Sequence, residues 1–210
     1  MKRTYTTEPN IGQRIVVVGT TCAGKTTMAH NLSQRLGIPH VEMDALHWGP
    51  NWTLPTVEAF RESISAALTG NAWAADGNYS KVRDIVWSRA DTVVWLDYPF
   101  PIIFARLLKR TFSRVITQEE LWNGNRESWR GMLLSRDSLI LWAIKTHGKR
   151  RKKFLHAFAD PTYAHLAVIR LHTPRKAQRW LENLPTRHTP RSFDSGPPTA
   201  RASAQDDASR

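Results

Sequence analysis

The sequence predicts an α/β fold of three layers: a five-stranded parallel sheet with helices on both faces. Three observations predict it. Short apolar runs recur along the 210 residues, and each is followed by a segment with apolar residues at helical spacing. The clearest runs, Val16-Val17-Val18 and Val93-Val94-Trp95-Leu96, are apolar throughout rather than alternating, as in sheets buried on both faces. A glycine-rich turn and three aspartates, Asp44, Asp76 and Asp97, stand at the carboxyl ends of these runs, where open α/β sheets bind ligands.

Arg14 to Val18 reads as the first strand. Met28, Ala29, Leu32 and Leu36 then mark a helix that Gly37 and Pro39 stop. A second strand is expected over Pro39–Met43, ending at Asp44, and a tryptophan-rich loop follows from Leu46 to Trp52. Val57, Phe60, Ile64 and Leu68 predict a helix capped by Thr56 and stopped by Gly70. A third strand, Ala72–Ala75, runs into Asp76-Gly77-Asn78-Tyr79, and Val82–Arg89 is a short helix. Asp91–Asp97 is the fourth strand, and Pro99 opens a helix toward Phe112. The pattern from Thr117 to Phe158 is helical and highly charged, Ala164–Leu171 is the last strand, and Pro174–Leu184 the closing helix.

Between the first strand and its helix lies Gly19-Thr20-Thr21-Cys22-Ala23-Gly24-Lys25-Thr26, which fits G-x-x-x-x-G-K-[ST], the phosphate-binding P-loop, in the strand–turn–helix context the motif requires. Its glycines allow a tight turn whose N–H groups, with the helix dipole, cradle an anion. Gly19 through Thr27 are therefore the expected nucleotide-binding residues, with Lys25 reaching the β- and γ-phosphates and Thr26 holding Mg²⁺. Phosphoryl transfer also needs a carboxylate for the metal and cations for the transferring group. Asp76 is the candidate metal carboxylate, against the plainer reading of a turn-forming Asp-Gly. Asp44 is placed to accept a proton from a hydroxyl nucleophile or to bind substrate, against the plainer reading of a cap. Arg106, Arg110 and Arg114 share a helix face, and Arg126 and Arg130 repeat the spacing. They suggest a lid over about residues 112–135 that brings arginines to the phosphates, with a solvated basic face as the alternative. Trp73, Trp87, Trp95, Trp142 and Trp180 are expected in the core, while Trp48 and Trp52 are placed to stack on an acceptor.

A net charge of +12 implies anionic ligands, either nucleotide phosphates or nucleic acid. The basic run Lys149-Arg150-Arg151-Lys152-Lys153 offers a nucleic-acid contact or, more commonly, a solvated helix end. The single cysteine, Cys22, excludes an intrachain disulfide framework and a multi-cysteine metal site. No apolar run is long enough to span a bilayer, and the N-terminus lacks a signal-peptide core, so a cytoplasmic protein, monomeric or weakly dimeric, is expected. Residues 1–12 read as a flexible start, 13–185 as the catalytic domain and 186–210 as a disordered tail poor in apolar residues.

With these residues in place, the chain from about Arg14 to Leu184 resembles the adenylate-kinase-like branch of P-loop kinases. Within it, Asp44-Ala45-Leu46-His47-Trp48, Asp76-Gly77-Asn78-Tyr79 and Leu121-Trp122-Asn123-Gly124-Asn125-Arg126-Glu127 resemble bacterial DNA topology modulation (FlaR-like) proteins. The resemblance implies a Mg²⁺-dependent enzyme that binds ATP and passes its γ-phosphate to a small acceptor, nucleotide or hydroxylated metabolite. It implies that Arg106 and Arg110 act on the phosphates, and that the backbone from Thr173 to Arg175 holds the adenine, which makes Arg175 a nucleotide-binding candidate. Adenylate kinases carry Asp-Gly-Phe-Pro-Arg after the third strand; here Asn78-Tyr79-Ser80 follow Asp76-Gly77, so the acceptor-binding arginine is missing. Two further readings stay open: an ATP-switched nucleic-acid-binding regulator, and an NTPase without an acceptor.

Overall fold

The computed structural model describes residues 11–117, 122–124 and 139–186. Five strands, β1 (Arg14–Gly19), β2 (His40–Glu42), β3 (Trp73–Asp76), β4 (Thr92–Leu96) and β5 (Ala167–Leu171), form one sheet in the order β2-β3-β1-β4-β5. Every pairing is parallel; Val17 lies opposite both Asp76 on β3 and Val94 on β4. The helices are α1 (Lys25–Leu36), α2 (Met43–His47), α3 (Val57–Ala67), α4 (Arg83–Arg89), α5 (Phe100–Thr117), α6 (Leu139–Ala159) and α7 (Pro174–Glu182).

Strand alternation divides the core in two. On one face Ile15, Val17, Val94 and Ile169 pack with Ala29 and Leu32 of α1, Ile103 of α5 and Trp180 of α7. On the other, Val16, Val18, Val93 and Val168 pack with Phe60 and Ile64 of α3, Trp87 of α4 and Phe154 and Phe158 of α6. This is the three-layer arrangement expected from strands apolar on both faces. The strand order puts β1, and so the P-loop, at the centre of the sheet between β3 and β4. Trp73, Trp87, Trp95 and Trp180 are buried as anticipated, whereas the side chain of Trp142 lies outside those described.

Four local expectations are corrected. Asp44 does not end a strand: β2 closes at Glu42, and Asp44 sits in the first turn of α2. The helix after Pro99 continues to Thr117, since no glycine or proline interrupts it after Pro101, so 112–117 of the anticipated lid belong to α5. The basic run lies inside α6 and not at its end. The last strand begins at Ala167, because residues 161–163 form a 3-10 turn that Asp160 caps through the Thr162 N–H. Residues 11 and 12 of the proposed flexible start are held in the fold, Ile11 in the core and Gly12 by the Thr92 hydroxyl. The other tail residues except 186, the side chain of Arg114, Arg126 and Arg130, and the rest of the lid except residues 122–124 lie outside the described residues. No described helix is long and apolar enough to cross a membrane.

Candidate active site

The P-loop joins β1 to α1 through backbone that few side chains permit. Gly24 has φ of 89°, in the left-handed region, and a Cβ there would lie 3.3 Å from Arg106 Nη1. At Gly19 a Cβ would come within 2.9 Å of the Leu96 carbonyl, so the close approach of β1 to β4 requires glycine. Cys22 is also left-handed, at φ 58°, a conformation that costs a residue with a side chain about 1–2 kcal/mol. Strain of this kind concentrates where a loop is shaped for a ligand.

Asn78 holds the start of this loop. Its Oδ1 accepts from the Gly19 N–H at 3.3 Å, and its Nδ2 donates to the Gly19 carbonyl, so one amide engages both backbone groups of Gly19. The residue that replaces phenylalanine in the adenylate-kinase pattern is thus the clamp between the ends of β1 and β3.

Asp76, only 1% exposed, receives the Thr26 hydroxyl on Oδ2 at 2.7 Å. The two residues read from the sequence as magnesium ligands are therefore in contact. His40 donates from Nε2 to the other oxygen, Oδ1, at 3.0 Å. His40 escaped the sequence reading, although β2 carried a signal: Val41 packs toward the core, so His40 and Glu42 alternate to the opposite face.

Lys25, Thr26, Asp44, Arg106 and Arg110 line one cavity of about 450 Å³, together with Glu42 and Trp122. Burial pushes the Lys25 ammonium's pKa down, and the nearby Asp44 and Asp76 carboxylates oppose that shift. Arg106 donates from Nη1 to the Ala23 carbonyl at 2.9 Å and lies over the Tyr98 ring, 5.4 Å from its centroid. Arg110 lines the cavity with a buried Nε that has no hydrogen-bond partner among the described residues. A donor in that position can meet an acceptor on a ligand.

Asp44 is oriented by Tyr79, whose hydroxyl donates to Oδ1 at 2.5 Å. Burial, with Asp44 alongside, raises the Tyr79 pKa far above its ordinary value, so the phenol stays a donor at any physiological pH. The His47 ring packs on Tyr79 at 4.3 Å between centroids, and burial lowers its pKa against the pull of Asp44. Trp48 and Trp52 meet edge to face at 5.4 Å, and Asn123 donates to the Trp48 carbonyl, which ties residues 122–124 to this rim. The Trp122 side chain hydrogen-bonds the Glu42 carboxylate, whose pKa burial raises.

A second cavity, about 220 Å³, lies on the other side of the loop between α1 and α7, lined by Gly24, Asn31, Tyr98, Pro174 and Gln178. It borders the segment expected to hold an adenine. Arg175 itself is exposed in the first turn of α7.

Asp97 does not join the phosphate site. It is 8% exposed and accepts from Arg170 at 2.5 Å and Arg151 at 3.2 Å, with His172 Nδ1 at 3.6 Å. Arg170 also stacks on Trp95, 4.4 Å from the ring centroid. The basic run is accordingly divided: Arg151 pairs with Asp97, Arg150 is half-buried and near enough to Lys25 to weigh on its proton affinity, and Lys149, Lys152 and Lys153 are exposed, Lys153 at the wall of a small cavity. It is not a uniform patch for nucleic acid.

No family model and no curated protein matches the chain. Among solved structures it is similar to an unliganded sugar kinase from Janibacter sp. HTCC2649, at 19% identity over 81% of this chain and 91% of that one, with a TM-score of 0.44. It is also similar to a shikimate kinase from Bacteroides thetaiotaomicron, at 15% identity over 81% and 94% with a TM-score of 0.47. A third likeness is a gluconokinase from Sinorhizobium meliloti 1021, at 16% identity over 81% and 91% with a TM-score of 0.45. Likenesses at this level carry no functional weight, and the site must speak for itself.

Proposed function

We propose that the protein is an ATP-dependent phosphotransferase that moves the γ-phosphoryl group to a hydroxyl of a small acceptor. The observation that carries this reading is the shared cavity, in which the P-loop residues Lys25 and Thr26 face Asp44, Arg106 and Arg110. A P-loop alone binds a nucleotide; a carboxylate and two arginines around it supply what transfer needs.

The loop N–H groups and Lys25 hold the β- and γ-phosphates, and the adenine lies toward α7. Arg106 and Arg110 lie against the transferring group and offset the charge that spreads over its oxygens. Asp44 takes the proton from the acceptor hydroxyl as the oxygen attacks phosphorus. Tyr79 occupies one Asp44 oxygen as a fixed donor, which leaves the other to face the acceptor. A carboxylate at this point repels a phosphate nucleophile and suits a hydroxyl, so a hydroxylated metabolite fits better than a nucleoside monophosphate acceptor. The missing arginine after Gly77 agrees with that preference.

The Thr26 hydroxyl and the Asp76 carboxylate fit Mg²⁺: both are hard oxygen donors, and they already touch at 2.7 Å. Mg²⁺ commonly takes one or two protein ligands and completes its shell with water and phosphate. Bound there, Mg²⁺ would neutralise phosphate charge. His40 keeps the Asp76 carboxylate fixed and turned toward Thr26.

The test is ATP consumption by the full-length chain across nucleoside monophosphates, nucleosides and small hydroxylated metabolites. At least one hydroxylated compound is expected to stimulate turnover, and Asp44→Asn to lower the stimulated rate roughly 10²–10⁴-fold. Steady hydrolysis that no compound changes would favour an NTPase without an acceptor.

A further inference from the structure

Beyond the two cavities that flank the P-loop, a third of about 140 Å³ opens between the end of β3, α4 and α6. Asn78, Ser80, Arg83, Arg150, Lys153 and Phe154 line it. Three of the six are cations and none is a carboxylate. Among the described residues, four acids near it in sequence or in the fold each have partners of their own, Asp76 those already given. Asp84 accepts two hydrogen bonds from Arg61, at 2.9 and 2.6 Å. Asp97 is taken by Arg170 and Arg151, and Asp160 accepts the Thr162 N–H as a cap. Arg83 is held over the Trp87 ring, 5.1 Å from its centroid, which fixes its guanidinium beside the cavity.

We propose that this cavity is an oxyanion subsite, which holds the carboxylate or phosphoryl group of the acceptor whose hydroxyl is presented to Asp44. Arg83 and Lys153, like charges beside one small space, repel each other, and a bound oxyanion attracts both. Asn78 and Ser80 add neutral donors to the same wall. The subsite also stands close to the chemistry. Asn78 clamps Gly19 of the P-loop, and the next residue, Tyr79, meets Asp44. Arg150, in the lining of the subsite, is near enough to Lys25 to weigh on its charge. An acceptor that spans the two would carry its hydroxyl a few carbons from its anionic group, as hydroxy acids and sugar phosphates do. The inference rests on the kinase reading and narrows its acceptor class.

The experiment uses the full-length chain saturated with ADP-Mg, so that added anions do not take the α- and β-phosphate positions of the P-loop, and the Arg83 and Lys153 variants separate the subsite from the open γ position. The Trp87 indole N–H resonance is followed while inorganic phosphate and, separately, acetate replace chloride at constant ionic strength. A saturable shift is expected with at least one of them; phosphate alone points to a phosphorylated acceptor and acetate alone to a hydroxy acid. Arg83→Gln and Lys153→Gln should each raise the midpoint about tenfold or more, Lys153→Arg should restore it, and Arg179→Gln on the far helix α7 should leave it unchanged. A linear, unsaturated shift, or a midpoint that neither glutamine variant moves, would overturn the subsite. ADP affinity in the same samples separates the two claims: if the wild type does not bind ADP-Mg the kinase reading fails, and if it binds normally while no anion saturates only the subsite fails.

Discussion

Asn78→Ala removes an amide that touches no nucleotide phosphate and yet should weaken nucleotide binding. Asn78 gives Gly19 a donor for its carbonyl and an acceptor for its N–H, across 59 residues of sequence. A net contribution of about 1 kcal/mol for each bond gives about 2 kcal/mol in all. For a domain of this size a loss of that order lowers Tm by about 4–8 °C. The part of it that shapes the loop for phosphate also appears in binding, where 1.4 kcal/mol is tenfold, so ADP-Mg affinity should fall about tenfold. Isothermal titration and thermal unfolding of the same preparations measure both quantities. A variant that loses several degrees of Tm but binds ADP-Mg within twofold of wild type would show that the clamp only braces the sheet. The claim that it presets the loop would then be refuted.

Tyr79→Phe keeps the ring against His47 and Phe60 but removes the donor to Asp44; acceptor-stimulated ATP turnover should fall about tenfold while ADP affinity is unchanged, and equal turnover would count against Asp44 as the base. Asp97→Ala leaves Arg170 and Arg151 without their carboxylate and should cost about 3 kcal/mol in chemical denaturation, with no change in ADP affinity. Burial lowers the pKa of His47, so the unfolded chain binds more protons than the folded one near and below pH 6.5. Stability contributed by the neutral ring is therefore present above pH 6.5 and lost as pH falls through that value. His147, lowered in the same way, adds to the fall. Tm should decline between pH 7.5 and 5.5, and His47→Phe should flatten the slope; an unchanged slope would exclude His47 as a contributor.

The sheet was legible because its strands are short, β-branched and buried on both sides, and because Gly37 and Thr56 punctuate the flanking helices with standard caps. The P-loop was legible because its chemistry is local: eight consecutive residues carry both the turn and the charge. Asp44 was placed one element too early because β2 is a three-residue edge strand, too short for periodicity to mark its end. Contacts that cross the sheet left no local trace. Asp97 looked like one more strand-end carboxylate, and only the register of β4 with β5 places Arg170 beside it, 73 residues away. The basic run read as a helix end because sequence shows its charge but not that the Phe154 and Phe158 face of α6 meets Trp95 and Trp87. Asn78 stood out as a departure from the adenylate-kinase pattern, but its partner, Gly19, is visible only in three dimensions.

Titration of ATP-Mg into the wild-type chain and into Lys25→Ala tests the central claim most directly. The cavity geometry predicts saturable binding to the wild type and a loss of at least about 10²-fold in the variant, since a desolvated ammonium on the phosphates is worth several kcal/mol. Equal affinity in the two proteins would mean that the triphosphate does not sit in the turn between β1 and α1, and the proposed chemistry would go with it.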